Sequence, residues 1–124
     1  MVREVVIDTE TTGLSALKGD RIIELAAVEL IDHLPTGRFF HSYINPNRTV
    51  PFESTRIHNL TDKFLVEKPQ FSEVVKDFLS FIKDSALIIH NATFDMVFLE
   101  NEIKISGLEF FNPVVIDTLS IAKE

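Results

Sequence analysis

Two carboxylates stand two positions apart near the start of the chain, at the end of the short apolar run of residues 3–8. In a strand, alternation places the side chains of Asp8 and Glu10 on one face, roughly 7 Å apart at Cα. Neither has an adjacent basic residue, and carboxylates beside apolar surface repel each other unless a cation lies between them. A divalent, oxygen-seeking cation would satisfy both. A solvated acidic strand end is the alternative interpretation of this pair.

A second acidic position follows a second apolar run. The string His90-Asn91-Ala92-Thr93-Phe94-Asp95 lies where residues 86–89 give way to a predicted helix. Asp95 then falls in the first turn, where the helix dipole favours negative charge, so a simple helix-start acid is one interpretation. Neighbouring strands of one sheet end at the same edge, however, and Asp95 could therefore reach Asp8. Three carboxylates there predict a two-cation phosphoryl-transfer site that uses Mg²⁺ or Mn²⁺.

The elements that must position these acids divide the chain into two halves. Residues 3–8 and 21–31 predict strands, although the Leu, Ala and Glu content of the second segment also suits a helix. Residues 35–37 predict a turn, and the alternating residues 39–44 predict a third strand. We therefore expect an antiparallel meander of three strands.

In the second half of the chain, the spacing of apolar residues changes. Residues 71–82 carry apolar side chains at helical spacing, which predicts an amphipathic helix. Residues 86–89 and 114–116 predict buried strands. The helix between them should begin near Asn91 or Thr93, carry Phe94, Val97 and Phe98 on one face, and end near Gly107. The predicted fold class is therefore α/β, with one mixed sheet flanked by helices.

The bulk properties of the sequence agree with one globular domain, residues 1–124, of net charge −7 and without cysteine. No apolar run has the length of a membrane span, and no signal peptide is recognisable, so we expect a cytoplasmic protein with no membrane contact. Any metal must be held by oxygen or imidazole. The acidic balance argues against binding along a long duplex backbone and favours local, cation-mediated contact.

Asp8-Thr9-Glu10-Thr11-Thr12-Gly13 and the His90–Asp95 string resemble the first and second motifs of the DEDD superfamily of 3′→5′ exonucleases. Further segments, which include 35–38, 57–62 and 117–119, are similar to the proofreading ε subunits of bacterial DNA polymerase III. The resemblance implies an RNase H-like fold and a metal-dependent exodeoxyribonuclease that acts on single-stranded or frayed DNA 3′ ends. It also implies contact with the polymerase catalytic subunit and the sliding clamp through sequence beyond this chain.

The resemblance assigns roles to individual residues. Asp8, Glu10 and Asp95 would hold two divalent cations. The remaining implied residues contact substrate: the backbone around Thr11 and Thr12 at the terminal nucleotide, Leu14 on its base, and His58 near the scissile end.

One departure limits what the resemblance implies. The family's third motif, His-x4-Asp, supplies the general base and a fourth carboxylate, and it should lie well beyond Asp117. His90 and Asp95 have this spacing, but they already form the second motif and cannot serve as both. His33, His41 and His58 have Arg38, Pro46 and Lys63 five positions on. We therefore expect a domain truncated before the third motif and almost inactive alone. An RNA-trimming relative and a non-catalytic nucleic-acid or partner-binding module are the alternative functions.

Several other polar residues have simpler interpretations. His41 alternates with aromatic residues on a predicted strand and is expected to be structural, and His33 receives no role. Asp117 follows a buried strand, where a capping or supporting role is favoured over that of a fourth metal ligand. Residues 48–68 are the least acidic region, which suggests either a DNA-facing patch or a solvated loop.

Overall fold

Five strands form one mixed sheet in the order β3-β2-β1-β4-β5. The computed structural model describes residues 2–110 and 113–119. The strands are β1 (Arg3–Thr11), β2 (Ile22–Ile31), β3 (Leu34–Tyr43), β4 (Ala86–Ile89) and β5 (Val115–Asp117). The helices are α1 (Phe52–His58), α2 (Asp62–Leu65), α3 (Phe71–Ile82) and α4 (Ala92–Ile105), with a 3₁₀ turn at Ala16–Lys18.

The central strand β1 pairs antiparallel with β2 and parallel with β4. β2 and β3 are antiparallel, whereas β4 and β5 are parallel. The predicted meander and mixed sheet are therefore confirmed, and residues 21–31 form a strand rather than a helix. This topology brings the carboxyl ends of β1 and β4 to one edge of the sheet, where the acidic motifs lie.

The turn between β2 and β3 was predicted at the wrong place. It consists of Asp32 and His33, both with positive φ, while residues 35–37 belong to β3. Two-residue hairpins favour positive φ at both central positions, and Asp and His tolerate this conformation better than most residues. Pro35 is accommodated because β3 is an edge strand.

Helices α3 and α4 cover one face of the sheet and enclose the main core. The α3 boundaries match the predicted 71–82, because the apolar stripe is continuous there. Fully buried side chains on both layers meet in this core, among them Val5, Leu25, Leu87, Phe78 and Leu99.

The predicted face of α4 was partly wrong. Val97 is 45% exposed, whereas Asp95 and Glu102 lie on the buried face with Phe98 and Leu99. Apolar spacing could not identify that face, because two of its members are acids whose partners lie on other elements.

The opposite face of the sheet carries an apolar stripe. Val6, Val28 and Phe39 are cross-strand neighbours on β1, β2 and β3, and they are 36%, 39% and 68% exposed. Asp8 and Glu10 project from this same face, because they alternate with the buried Val5 and Ile7.

The region 48–68 contains the short helices α1 and α2. The sequence had suggested either a solvated loop or a DNA-facing basic patch there. Leu65 of α2 belongs to a small second core with Ile23, Val50 and Leu60, whereas α1 has no buried residue. Residues 120–124, where the sequence suggests the start of another helix, lie outside the described residues. No helix in the described part of the chain is long and apolar enough to cross a bilayer.

Candidate active site

The first two predicted ligands lie on the open face of β1. Asp8 is exposed and Glu10 is half-buried. Burial raises the pKa of Glu10 above its ordinary value, and the negative charge of Asp8 raises it further. Glu24, which lies directly opposite Glu10 on β2, contributes in the same direction, whereas His58 lowers the pKa.

The third predicted ligand, Asp95, is buried in the first turn of α4. The preceding Asn91 has φ 61°, a left-handed conformation that turns the chain sharply from β4 into the helix. Burial raises the pKa of Asp95, the hydrogen bond from the Thr9 hydroxyl lowers it, and the net direction is upward. The charges of Asp8 and Glu10 also raise it, so the three acids are close enough to repel one another.

The convergence of the three carboxylates is incomplete. Within residues 2–110 and 113–119, no three side chains of histidine, cysteine, aspartate or glutamate are grouped so that they could hold a metal ion. The Asp95 carboxylate accepts a hydrogen bond from Thr9, whose side chain projects from the face of β1 opposite to Asp8 and Glu10. The donor set nevertheless fits a hard cation. It consists of oxygen atoms only, and none of the three acids forms an ion pair with a described lysine or arginine.

The loop that follows β1 is fixed by Thr12, which is fully buried. Its amide donates to the carbonyl of Arg21 at 2.9 Å, and its hydroxyl donates to Asp20 at 2.9 Å. Its carbonyl accepts from the Ser54 hydroxyl at 2.6 Å. The polar atoms of Thr12 therefore form hydrogen bonds within the protein. Any contribution of Thr12 to substrate binding must come from the conformation that it gives to the loop.

Gly13 is required by the same packing. A Cβ at this position would lie 2.5 Å from a carboxylate oxygen of Asp20, which also accepts from the Ser15 amide. The Thr11 hydroxyl donates to the Gly13 carbonyl at 2.6 Å. Close packing against Asp20, rather than a positive φ, thus explains a glycine in this loop.

The loop and α1 form the two walls of a groove of about 580 Å³. The residues that line it are Thr9 to Ser15, Lys18, Asp20, Pro51, Glu53, Ser54, Ile57, His58 and Phe94. Leu14 and Ile57 are 88% and 82% exposed, so both walls present apolar side chains. A second cavity, of about 620 Å³, lies beside the end of α3 and contains none of the predicted site residues.

His58 lines this groove and carries an unsatisfied donor. Its Nδ1 accepts a hydrogen bond from the Leu60 amide at 3.0 Å, so the hydrogen of the neutral ring resides on Nε2. That nitrogen is buried and has no hydrogen-bond partner among the described residues. A buried donor without an acceptor is costly, which marks this position as one that a ligand could satisfy.

The other polar residues mostly have partners within the protein. Asp117 accepts hydrogen bonds from the amides of Asn91 and Leu119, which agrees with the capping role that the sequence favoured. His41 lies 2.7 Å from Glu24, as a structural histidine would. Of the basic residues between 48 and 68, Arg48 contacts Asp20 and Lys68 lies over the ring of Phe64.

Sequence reasoning missed Ser54, Ile57 and the pair Arg21–Glu102. α1 has only two helical turns, and its apolar periodicity is too short to predict a helix. Without that helix, nothing placed Ser54 and Ile57 beside the loop that follows β1. Arg21 and Glu102 are 81 positions apart, and nothing in the residues between them indicates that they meet. The buried position of a charged residue on α4 is the only signal, and it requires the fold to be known.

Comparisons with known proteins identify the family and the fold of this chain. A model of the exonuclease family known as RNase_T matches residues 5–124. The ε subunit of DNA polymerase III from Rickettsia typhi is 48% identical over 128 residues, which cover 98% of this chain and 55% of that protein. The ε subunit from Pasteurella multocida is 41% identical over 129 residues, which cover 98% and 51%.

Solved structures give the same fold. A complex of E. coli exonuclease I with single-stranded DNA matches with a TM-score of 0.87 at 15% identity, over 99% of this chain and 29% of that one. Exonuclease X in complex with 5′-overhanging duplex DNA matches with a TM-score of 0.69 at 25% identity, over 97% and 62%.

The fold is that of the RNase H-like exonucleases, as predicted, and the chain belongs to the exonuclease family. Within that family it is similar to the ε subunits of bacterial DNA polymerase III across nearly its whole length. The chain spans about half the length of these curated relatives.

Proposed function

We propose that this chain forms the larger part of a metal-dependent 3′→5′ exodeoxyribonuclease site that removes nucleotides from frayed DNA 3′ ends during proofreading. The observation that carries the proposal is the groove. The family match covers the predicted acids, and Glu10 lines the same groove as Leu14, Ile57 and His58 with its unsatisfied Nε2.

In this proposal Asp8, Glu10 and Asp95 hold two divalent cations, Mg²⁺ or Mn²⁺. When bound, the cations would supply Lewis acidity at the scissile phosphate and lower the pKa of the attacking water. The protein's own contribution begins with charge. Burial and then the neighbouring negative charges raise the pKa of Glu10 and Asp95, and a bound cation would offset both effects. All three acids must be ionised for this role.

The chain's other residues bind and orient the terminal nucleotide. Leu14 and Ile57 stand on opposite walls and can enclose a base without reading its sequence, because every base has an apolar face. The His58 Nε2–H can donate to a phosphate or sugar oxygen near Glu10. With a net charge of −7, the protein attracts a long duplex weakly, so we expect it to bind only the last few nucleotides.

The test is an assay on a 3′-labelled oligonucleotide with Mn²⁺, using a mismatched and a fully paired terminus. A protein limited to residues 1–124 contains only the first two motifs, so its turnover should lie about 10²–10⁴-fold below that of the Rickettsia typhi relative. The residual activity should favour the mismatched end and disappear in Glu10→Gln. Glu24→Gln is the matched control, since it removes the carboxylate opposite Glu10 but not a proposed ligand.

Faster release from paired than from mismatched ends would contradict the proposal. Activity comparable to that of the relative would show that the site is complete without the third motif, and the mechanism would then be wrong. Activity on ribo-oligomers above that on deoxy-oligomers would favour the RNA-trimming alternative.

A second candidate function is a non-catalytic nucleic-acid-binding module on the same fold. The incomplete convergence of the three carboxylates favours it. Calorimetric titration with Mn²⁺ beside the turnover assay separates the two functions. Asp8→Ala should abolish Mn²⁺ binding under both, whereas only the nuclease releases mononucleotides.

A further inference from the structure

We propose that Arg21 and Glu102 are positioning residues, which hold the groove-forming loop Thr11–Leu14 in a fixed relation to Asp95. The inference deepens the proposed function and rests on it. It assigns a role to a buried ion pair outside the acidic site.

Several hydrogen bonds hold the pair together. Glu102 lies on α4 and is 1% exposed. The Arg21 guanidinium donates to it through Nε at 2.9 and 3.0 Å and through Nη2 at 2.6 Å. The backbone amide of Ile22 donates to the same carboxylate at 2.9 Å. α4 is therefore joined to the first residues of β2 by both side-chain and main-chain bonds.

Arg21 passes this constraint to the loop. Its carbonyl accepts from the Thr12 amide, and its own amide donates to the Thr12 hydroxyl at 3.0 Å. Thr12 is also held by Ser54 on α1, so both walls of the groove meet at this residue. Moving Glu102 would shift Thr12 and, with it, the neighbouring Gly13 and Leu14.

The same helix face carries Asp95, two turns before Glu102. Asp95 is bound to Thr9 on β1, so α4 is attached to the sheet at two points, one at the acids and one at the loop. A buried ion pair adds little net stability compared with apolar packing of the same volume. Its directional bonds instead fix the register between α4 and β2, and small displacements of substrate-positioning groups are costly in catalysis.

Glu102→Gln is the first test variant, and Glu29→Gln is its matched control. Glu29 is also a buried glutamate paired with an arginine, Arg3 at 2.6 Å. Its hydrogen bonds connect β2 to β1 and β3, whereas those of Glu102 lead through Arg21 to Thr12 in the groove-forming loop. Both substitutions should lower the melting temperature. Affinity for a fluorescent oligothymidylate in the presence of Mn²⁺ is then measured well below both melting temperatures.

Glu102→Gln should weaken binding roughly tenfold, about 1.4 kcal/mol, whereas Glu29→Gln should change it less than twofold. Equal weakening by the two variants would overturn the proposal, because it would reduce the effect of Glu102 to general destabilisation. Arg21→Lys is a milder second variant if Glu102→Gln does not fold. It keeps the charge, loses the bidentate geometry, and should also weaken binding.

Amide hydrogen exchange provides a readout that does not need a ligand. In Glu102→Gln, the Thr12 amide should lose protection while the Val75 amide in α3 keeps it. Unchanged protection at Thr12 would overturn the positioning role. If the wild-type protein binds no oligothymidylate, the proposed function fails, and the exchange measurement still decides the positioning role.

Discussion

Burial and mutual repulsion act together on the acidic side chains at the edge of the sheet. The pKa of Asp95 and that of Glu10 are both raised, first by burial and then by neighbouring negative charge. A group whose folded pKa exceeds its unfolded value stabilises the fold fully below the unfolded pKa, and this stabilisation is lost as the pH rises through the folded pKa. At neutral pH the metal-free site is therefore a source of instability.

We predict that Asp95→Asn raises the melting temperature of the metal-free protein at neutral pH. Asparagine keeps an oxygen that can accept from Thr9, and it removes the buried charge. Thermal denaturation in EDTA should show a gain that grows from about pH 4 upward, where the unfolded carboxyl ionises. Added Mn²⁺ should stabilise the wild type more than the variant.

Asp77→Asn, on the exposed side of α3, serves as the control and should show no such pH-dependent gain. A lower melting temperature for Asp95→Asn throughout this pH range would contradict the prediction.

The sequence predicted Asp8, Glu10 and Asp95 as ligands because each lies in a short string at a predicted strand end or helix start. The sequence could not predict which polar side-chain atoms around these acids have hydrogen-bond partners. The fully bonded Thr12 and the unsatisfied His58 Nε2 depend on partners such as Arg21, Ser54 and the amide of Leu60, and those contacts follow from the fold.

Among the elements, β2 is tied to its neighbours by a second buried carboxylate. Glu29 accepts from Arg3 on β1 and from Thr36 and Arg38 on β3. The Arg3 guanidinium also donates to the carbonyl of Lys83 at 2.9 Å, so the end of α3 belongs to the same network. The hydrogen bond from Arg3 is the main cause that holds the pKa of Glu29 below its ordinary value.

A lowered carboxyl pKa gives a defined acid dependence. The stabilisation is fully present above the unfolded pKa, about 4.3, and is lost as the pH falls through the folded pKa. We therefore predict that the difference in unfolding free energy between wild type and Glu29→Gln is largest above about pH 5 and shrinks below about pH 4. Urea denaturation at several pH values measures this difference.

Glu67→Gln, at an exposed position, should show no comparable trend. A Glu29→Gln difference that stays constant from neutral to acid pH would show that the network does not depend on the carboxylate charge.

Element prediction succeeded where the apolar pattern was long, and failed where it was short or interrupted. The stripe in α3 fixed both ends of that helix, whereas α1 has seven residues and no buried member. The hairpin turn was misplaced because Pro-Thr-Gly is a stronger turn signal than Asp-His, although the edge position of β3 allows proline within the strand.

At the scale of the whole molecule, helices cover one face of the sheet, whereas part of the other face is exposed to solvent. One carries α3 and α4, and the other presents the stripe of Val6, Val28 and Phe39 beside the acids. Contiguous exposed apolar surface of this kind promotes association, and β3 adds an unpaired strand edge next to it.

We predict that the 124-residue chain self-associates in a concentration-dependent manner and that Phe39→Lys reduces this association. Sedimentation velocity over a range of concentrations provides the measurement. Phe52→Lys is the matched control, because Phe52 is similarly exposed but lies on α1, away from the stripe. Equal solubilisation by both substitutions, or a wild type that stays monomeric, would contradict the prediction.

The pairing of β4 with β1 also determines the stage of folding at which the three acids are brought together. The meander joins strands that follow one another in sequence, whereas β4 pairs with β1 only after the chain has left the sheet between Tyr43 and Ala86. Pairings between distant segments form late, because the entropy of closing the intervening loop must be lost first. Thr9 and Asp95 are 86 positions apart, so we expect an early meander to carry Asp8 and Glu10 without the third acid.

In refolding experiments, recovery of Mn²⁺ affinity should therefore lag behind formation of the hairpins. Cation binding would then report the completed parallel pairing, and a chain stalled before that step would lack one of the three ligands that the proposed function requires.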